Sequence, residues 1–332
     1  MLYLIYMEKR NKHVPKVSIV MAAFNSERFI QQAVASALSQ DFKDFELIIV
    51  NDGSTDRTGY ISNELAKQDE RIIVIHQENK GVVSSRNTAI ENSSGIYIAI
   101  LDSDDEWLPG KLTTQVGIFE KNPSLVVVGG GYELTNNMGI NIGSELLMSS
   151  DEDIRRGMTI YSQFGHSSVL YKRDAAIKAG LYPNTCPVED YDFMFRLMKL
   201  GEAFNVPYPL YRYRTETGGI SDSAKNTQIN LSKKLSLEIW NEFKPRIYTK
   251  KQIINLSNEY LNNSIHKDLG IKARYIFLSI NSRVGYRMIK RGDKVRGIRQ
   301  VLNIATSSLD GFRITRIHGR EIIKSFTKRR TE

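Results

Sequence analysis

One cysteine, Cys186, and five histidines are all that 332 residues offer as disulfide partners or as soft and nitrogen metal ligands. A single thiol excludes an intramolecular disulfide, and the two shortages together leave no thiolate-rich metal cluster. No stretch approaches the eighteen or more uninterrupted apolar residues expected of a membrane-spanning helix. The opening MLYLIYMEKRNK places its charges after its short apolar run and has no small-residue cleavage pattern, so it does not read as a signal peptide. A reducing, cytoplasmic setting is expected. No GxGxxG opens a helix after a strand, because Gly129-Gly130-Gly131 runs on into Tyr-Glu-Leu, and neither GxxxxGKS nor GxxxxGKT occurs. Any phosphate would therefore be held by something other than a glycine-rich cradle.

Acid is scarce in one region only. The formal charge of +9 suggests a nucleic-acid partner until it is divided along the chain. From Lys267 onward there are 17 Lys and Arg against 5 Asp and Glu, which leaves 29 against 32 for everything before. The basicity belongs to the tail, where Ile314, Ile317, Ile322, Ile323 and Phe326 interleave with Arg313, Arg316, Arg320 and Lys324. That pattern suits an amphipathic helix lying on anionic lipid, or a helical cap with a solvated basic face. It lacks an aromatic platform or a recognition module, so no nucleic-acid partner is expected.

What is present in quantity is ordinary for a folded protein, with 41% hydrophobic and 25% charged residues. From Pro15 to about Leu134 the chain alternates apolar runs with amphipathic stretches. VSIVMA from Val17, ELIIV from Glu46, RIIVIH from Arg71, IYIAIL from Ile96 and LVVVGG from Leu125 are short, β-branched and apolar on both faces. Such runs predict strands in the middle of a parallel sheet. Helix-like stretches at 26–40, 58–68 and 83–91 separate them, which predicts a doubly wound α/β sheet with its ligand site beyond the carboxyl ends of the strands. After Asn136 the pattern loosens. A strand is expected at Ser167 to Lys172, short helices at 174–179 and 190–200, a mixed Tyr/Arg/Pro segment thereafter, and helix from about Asp222 through Tyr260. The divisions expected are 1–14 as an extension, 15–221 as the catalytic domain with halves near 15–135 and 136–221, and 222–332 as a helical region.

Polar clusters follow the strands. Asp102, Ser103 and Asp104 follow IYIAIL, and two carboxylates at i and i+2 can converge on one small hard cation. The competing reading is a helix cap by Asp104 or Asp105, with Pro109 in the first turn; capping needs one carboxylate and does not account for a row. Asn51-Asp52-Gly53-Ser54-Thr55-Asp56 follows ELIIV, with Asp52 placed to hydrogen-bond a base or ribose, though a structural turn would look much the same. Ala22-Ala23-Phe24-Asn25 follows the first strand, its small residues open to a flat ring and Asn25 or Ser26 read as the helix cap. Arg86 offers a fork for phosphate oxygens, against a solvated surface charge. Glu189 and Asp190 open a helix whose macrodipole favours acids there. Facing the first acidic cluster, one of them would serve as a general base.

Taken in order, VSIVMAAFNSERFI, IIVNDGSTDRT, NKGVVSSRNTAI, YIAILDSDDEW and EDYDFMFRLMKLG resemble the family 2 glycosyltransferases of the GT-A fold, over roughly Val17 to Ser221. The resemblance implies inverting transfer of a sugar from a nucleoside diphosphate sugar, a UDP-sugar above all, to a hydroxyl acceptor. It implies a nucleotide-sugar pocket drawn from Ala22, Phe24, Asn25, Glu27, Asp52, Arg86, Asp102 and Ser103, with Asp104 ligating Mg or Mn directly and Asp102 facing the ribose and the metal's water shell. Asp190 would be the base, with Glu189 orienting acceptor or donor sugar. Relatives often carry Tyr-Arg-x-His after that helix; here Tyr211-Arg212-Tyr213-Arg214 stands instead, with Arg212 or Arg214 to grip the diphosphate. A glycan or lipid-linked glycan acceptor, cell-surface polysaccharide synthesis and a peripheral place on the inner face of the plasma membrane are the wider implications. A silent sugar-nucleotide or glycan-binding module is the rival, and nucleotidyl transfer, releasing pyrophosphate, is another.

Overall fold

The computed structural model of the chain describes residues 14–136, 138–159, 161–185, 187–215 and 225–243. These belong to one compact unit spanning Met1–Lys250. The N-terminal run MLYLIYMEKRNK, the basic tail and the expected continuation of helix to Tyr260 lie outside the described residues.

The expected apolar runs form β1 (Val17–Ala23), β2 (Phe45–Asp52), β3 (Ile72–Gln77) and β4 (Tyr97–Ile100), all parallel, in the order β3-β2-β1-β4. Side chains alternate across the sheet. Ile19, Met21, Leu47 and Ile49 enter one core with helices α1 (Ile30–Leu38), α2 (Thr58–Gln68) and, further along, α4 (Lys111–Lys121). Val20, Ile48, Val50, Ile98 and Ile100 enter the other with α3 (Val82–Glu91). Burial on both faces is why these strands read as continuous apolar runs and not as alternating ones.

Beyond β4 the sheet departs from a simple parallel series. β8 (Leu170–Lys172) inserts antiparallel between β4 and β6 (Leu125–Thr135), pairing Tyr97 with Lys172 and Val127 with Tyr171. β6 then pairs in parallel with β9 (Glu202–Arg214), and β9 pairs antiparallel with the two-residue β5 (Glu106–Trp107). A hairpin partner, β7 (Asn141–Glu145), joins β6 from the other direction of the chain. Among the described residues the sheet has nine strands. The mixed Tyr/Arg/Pro segment is thus a long strand. Its register against β6 shifts on either side of Gly131, which pairs with Pro209, so proline falls where the ladder is already irregular.

The remaining helices are α5 (Asp151–Gly157), α6 (Arg173–Lys178), α7 (Glu189–Met198) and α8 (Lys225–Phe243). Phe193, Leu197, Leu235 and Ile239 bury α7 and α8 in the core on the α3 side of the sheet. Because β4, β6 and β9 run the same way, the loops after β1, β2 and β4 and the carboxyl end of β9 gather at one edge. The amino end of β8, with its preceding 3-10 turn His166–Ser168, faces the same edge.

Candidate active site

Three loops at this edge are stitched together by side chains. Asn25, in the left-handed region at φ 48°, accepts from Thr55 N at 2.9 Å, and its own amide donates to Ser54 Oγ at 3.1 Å. Glu27 accepts from Arg57 N at 3.0 Å while its amide donates to Asp56 at 3.1 Å. Ser26 Oγ lies 2.7 Å from Ser103 Oγ. Asn25 and Ser26 therefore bridge loops instead of capping α1, whose first residue follows Phe29. Ala22 is half-buried at the strand end, and Phe24 stands 49% exposed at the rim.

Asp52 is buried, and its carboxylate accepts from Gln77 Nε2 at 2.7 Å, Lys80 N at 2.9 Å and Gly81 N at 2.8 Å. It ties the loop after β3 to the end of β2. Gly53 makes this approach possible: it has φ +68°, and a Cβ there would meet Asn79 N at 2.7 Å.

The row of acids after β4 divides its labour. Asp105 is buried and accepts from Ser167 Oγ at 2.6 Å and Arg214 N at 3.1 Å. Burial, with Asp104 and Asp102 beside it, pushes its carboxyl well above the ordinary carboxylate range. The first helix after the row starts only at Lys111, behind Gly110 in the left-handed region, so neither Asp104 nor Asp105 caps it. Asp104 is half-buried, and its carbonyl accepts from Arg214 Nε at 3.1 Å. Asp102 is held on both oxygens: Arg86 Nη2 donates to Oδ1 at 3.1 Å, and His166 Nδ1 lies 2.8 Å from Oδ2. Burial opposes its ionisation, but the His166 ring and the Arg86 guanidinium outweigh burial and hold the carboxyl below its usual range.

Arg86 joins the two acidic groups. It is buried, and its Nη1 donates to Glu189 Oε1 at 2.7 Å while Nη2 holds Asp102. Glu189 Oε2 and Arg86 Nε, both buried, have no hydrogen-bond partner among the described residues. A buried carboxylate oxygen in that condition is a place for a ligand hydroxyl. Asp190 follows on the first turn of α7, half-buried, and accepts from Tyr191 N at 2.7 Å. Burial and the neighbouring Glu189 raise its pKa, against the pull of His166 and Arg86. The phenol of Tyr213, whose hydroxyl end lies toward the cluster, is pushed up by desolvation and then by Asp105, Asp104, Asp102 and Asp190 together.

Arg212 and Arg214 flank Glu106. Arg214 Nη2 donates to Glu106 at 2.8 Å with the guanidinium 4.4 Å from the Phe29 ring centroid, and its side chain is 4% exposed. Arg212 is 45% exposed and reaches Glu133 at 3.1 Å. His166 and Tyr182, 3.0 Å apart, belong to the site although nothing in the sequence marks them: a lone histidine in a loose segment has no pattern around it.

Among the described residues, no three His, Cys, Asp or Glu side chains converge as a ready cage. The donor set nonetheless suits a hard cation. One or two carboxylates completed by phosphate oxygens and water are what Mg²⁺ ordinarily uses, and the excess negative field around Asp104, felt by Asp105 and Tyr213, is one that a divalent cation relieves.

The Glycosyl transferase family 2 model matches residues 18–178. EpsE of Bacillus subtilis, named as a glycosyltransferase, is 32% identical over 211 residues, covering 61% of this chain and 74% of that protein. The chain belongs to the family 2 glycosyltransferases. A glycosyltransferase of Haemophilus influenzae is 28% identical over 241 residues, 68% of this chain and 74% of its own length. Among solved structures, Staphylococcus aureus TarS 1–349 in complex with UDP-GlcNAc superposes with a TM-score of 0.55 at 17% identity, over 87% of this chain and 91% of that one. The Pyrobaculum calidifontis mannosyltransferase PcManGT, in complex with GDP-Man and Mn²⁺, gives 0.52 at 14% identity, over 97% and 87%. These likenesses are of the GT-A fold: a curled sheet of mostly parallel strands between helices, as found here. Among the described residues of this glycosyltransferase, no helix is long and apolar enough to cross a membrane.

Proposed function

We propose that this glycosyltransferase transfers a sugar, with inversion, from a UDP-sugar to a hydroxyl of a glycan or lipid-linked glycan in cell-surface polysaccharide synthesis. The observation that carries this is Arg86 holding Asp102 and Glu189 at once, which brings the acids at the sheet edge to the acids at the start of α7. Structures of similar fold bind UDP-GlcNAc and GDP-Man, which supports a nucleotide-sugar donor.

Ala22, Phe24, Asn25 and Glu27 offer the base a rim, and Asp52 shapes its floor by fixing the loop after β3. Ser103 and Asp102 face the ribose, and Arg212, with free surface, meets the diphosphate. Arg214 holds Glu106 and backs the acidic loop. Asp104 would hold Mg²⁺ or Mn²⁺ directly, and Asp102 would act through its water shell; bound there, the ion supplies charge neutralisation for the departing diphosphate. On the acceptor side Asp190 takes the hydroxyl proton as the oxygen attacks the anomeric carbon, and the nucleoside diphosphate leaves from the opposite face. Glu189 Oε2 accepts from a sugar hydroxyl. The basic composition from Lys267 onward, 17 Lys and Arg against 5 Asp and Glu, supports either a place against anionic lipid or a solvated basic face.

A panel of UDP-, GDP- and dTDP-sugars tests this. Release of a nucleoside diphosphate is expected from one UDP-sugar, abolished by EDTA and restored by Mn²⁺, and reduced at least about 100-fold in Asp104→Ala. Tight binding of a donor with no release across acceptors would instead favour a silent binding module. A pH profile adds a sign. Because the Asp190 pKa is raised, the base is lost as pH falls through a value above the ordinary aspartate range, so kcat declines on the acid side while donor binding persists. A kcat level down to pH 4 would contradict the assignment.

A further inference from the structure

The half-buried histidine beside Asp102 is unassigned by the family match and lies outside every motif that the sequence offers. His166 opens the 3-10 turn His166–Ser168 and is held in place by its neighbour. Ser167 Oγ accepts from Asp102 N at 3.0 Å and donates to Asp105 at 2.6 Å, and Ser167 O accepts from Trp107 Nε1 at 2.8 Å. The turn is thus fastened to the acidic loop by backbone and side chain alike. The imidazole itself is engaged at both nitrogens, Nδ1 with Asp102 Oδ2 at 2.8 Å and Nε2 with Tyr182 OH at 3.0 Å.

Tyr182 is fixed in turn. Asn87 on α3 clasps its main chain from both sides, Nδ2 donating to Tyr182 O at 2.9 Å and Oδ1 accepting from Tyr182 N at 3.0 Å. Its ring packs on Phe193 of α7, centroids 4.2 Å apart, and under the Arg86 guanidinium. Asn87 follows Arg86 in the chain, and Arg86 holds the other oxygen of Asp102. Asp102, His166, Tyr182, Asn87 and Arg86 therefore close a ring in which one carboxylate is fixed from two directions.

We propose that His166 is a positioning residue for nucleotide and metal binding: it orients Asp102 through an Nδ1–H donor, with the Tyr182 hydroxyl holding the far side of the imidazole. The tautomer follows from the partners. A carboxylate oxygen only accepts, so the proton shared between His166 Nδ1 and Asp102 Oδ2 sits on Nδ1, and the Tyr182 hydroxyl donates to Nε2. Both ring nitrogens of His166 and both oxygens of Asp102 then have a partner. The oxygens of Asp102 keep one fixed orientation toward the cleft, as outer partners do for metal ligands elsewhere.

The inference rests on Asp102 serving the nucleotide-sugar site, so its tests are chosen to separate the two. His166→Asn and His166→Leu have nearly the same shape and differ in the amide that can donate to Asp102. Titrating Mn²⁺ with UDP present by calorimetry, H166L is expected to weaken binding 10- to 100-fold and H166N no more than about threefold. Tyr182→Phe, which leaves the ring in place, is expected to fall between them, and it stands in for H166L should that variant not fold. Wild-type affinity in H166L or Y182F overturns the proposal, as does equal weakening in H166N and H166L, which would make packing the cause. The ¹⁵N shifts of His166, assigned by comparison with H166N, need no nucleotide. A protonated Nδ1 supports the proposal and a bare Nδ1 overturns it, so if wild-type protein binds no Mn²⁺ with UDP, the failure is that of the proposed function and the tautomer still decides the role of His166.

Discussion

Asp190→Asn is expected to lower kcat by about 10²- to 10⁴-fold, the usual contribution of a positioned general base, with donor affinity changed by no more than a few fold. The substitution is mild for the fold. Asparagine keeps the oxygen that accepts from Tyr191 N, and it removes a charge that burial and Glu189 already disfavour. The folded pKa of this carboxyl is raised, so its ionised form costs stability at neutral pH, and the variant should melt no lower than wild type there. A variant with kcat within threefold of wild type would show that the acceptor proton goes elsewhere. Single-turnover kinetics, which separate chemistry from product release, are the measurement to use.

The second large effect is on stability. Arg86→Met removes the buried cation between Asp102 and Glu189 and leaves Glu189, already lacking a partner for Oε2, with a fully uncompensated charge. Breaking a buried pair in this way costs about 3–5 kcal/mol, because the remaining ion keeps its desolvation penalty without its attraction. For a unit of this size that is a fall in Tm on the order of 6–20 °C. Arg86→Lys should recover only part, since an ammonium is a point charge and cannot fork between two carboxylates. Adding Glu189→Gln to Arg86→Met should restore much of the loss, as the stranded charge is then gone. A melting point in R86M within about 2 °C of wild type, or a further drop in the double variant, would contradict the bridging role.

Much of this was legible in the sequence because burial on both faces leaves a simple trace. β1, β2 and β4 read as apolar runs since helices cover each side of the sheet, and the polar loops after them fall where a parallel sheet places its ligands. The rest depends on contacts far apart in the chain. The strand expected at Ser167 to Lys172 forms as β8, but no local pattern announces its antiparallel place between β4 and β6. β9 is hidden by Pro207 and Pro209, which it tolerates through its irregular register with β6. Read alone, Arg86 is a solvated surface charge before it is a phosphate ligand, and its burial between two acids follows only once Glu189 at the start of α7 is brought beside it. Asp105 looks like a third member of an acidic row, yet Ser167 and Arg214 draw it into the interior. His166 acquires meaning from Asp102 and Tyr182, 64 and 16 residues away.

In the proposed function, acids from two parts of the chain share one cleft, one set serving the diphosphate and the other the incoming hydroxyl. The most direct measurement is a crystal structure with UDP and Mn²⁺, read by the anomalous signal of the metal. The peak is expected at direct-coordination distance, about 2.1 Å, from an Asp104 carboxylate oxygen and shared with the diphosphate, with a water between it and Asp102. A metal bound away from Asp104, or UDP seated in the cleft with no metal while Mn²⁺ is abundant, would contradict it.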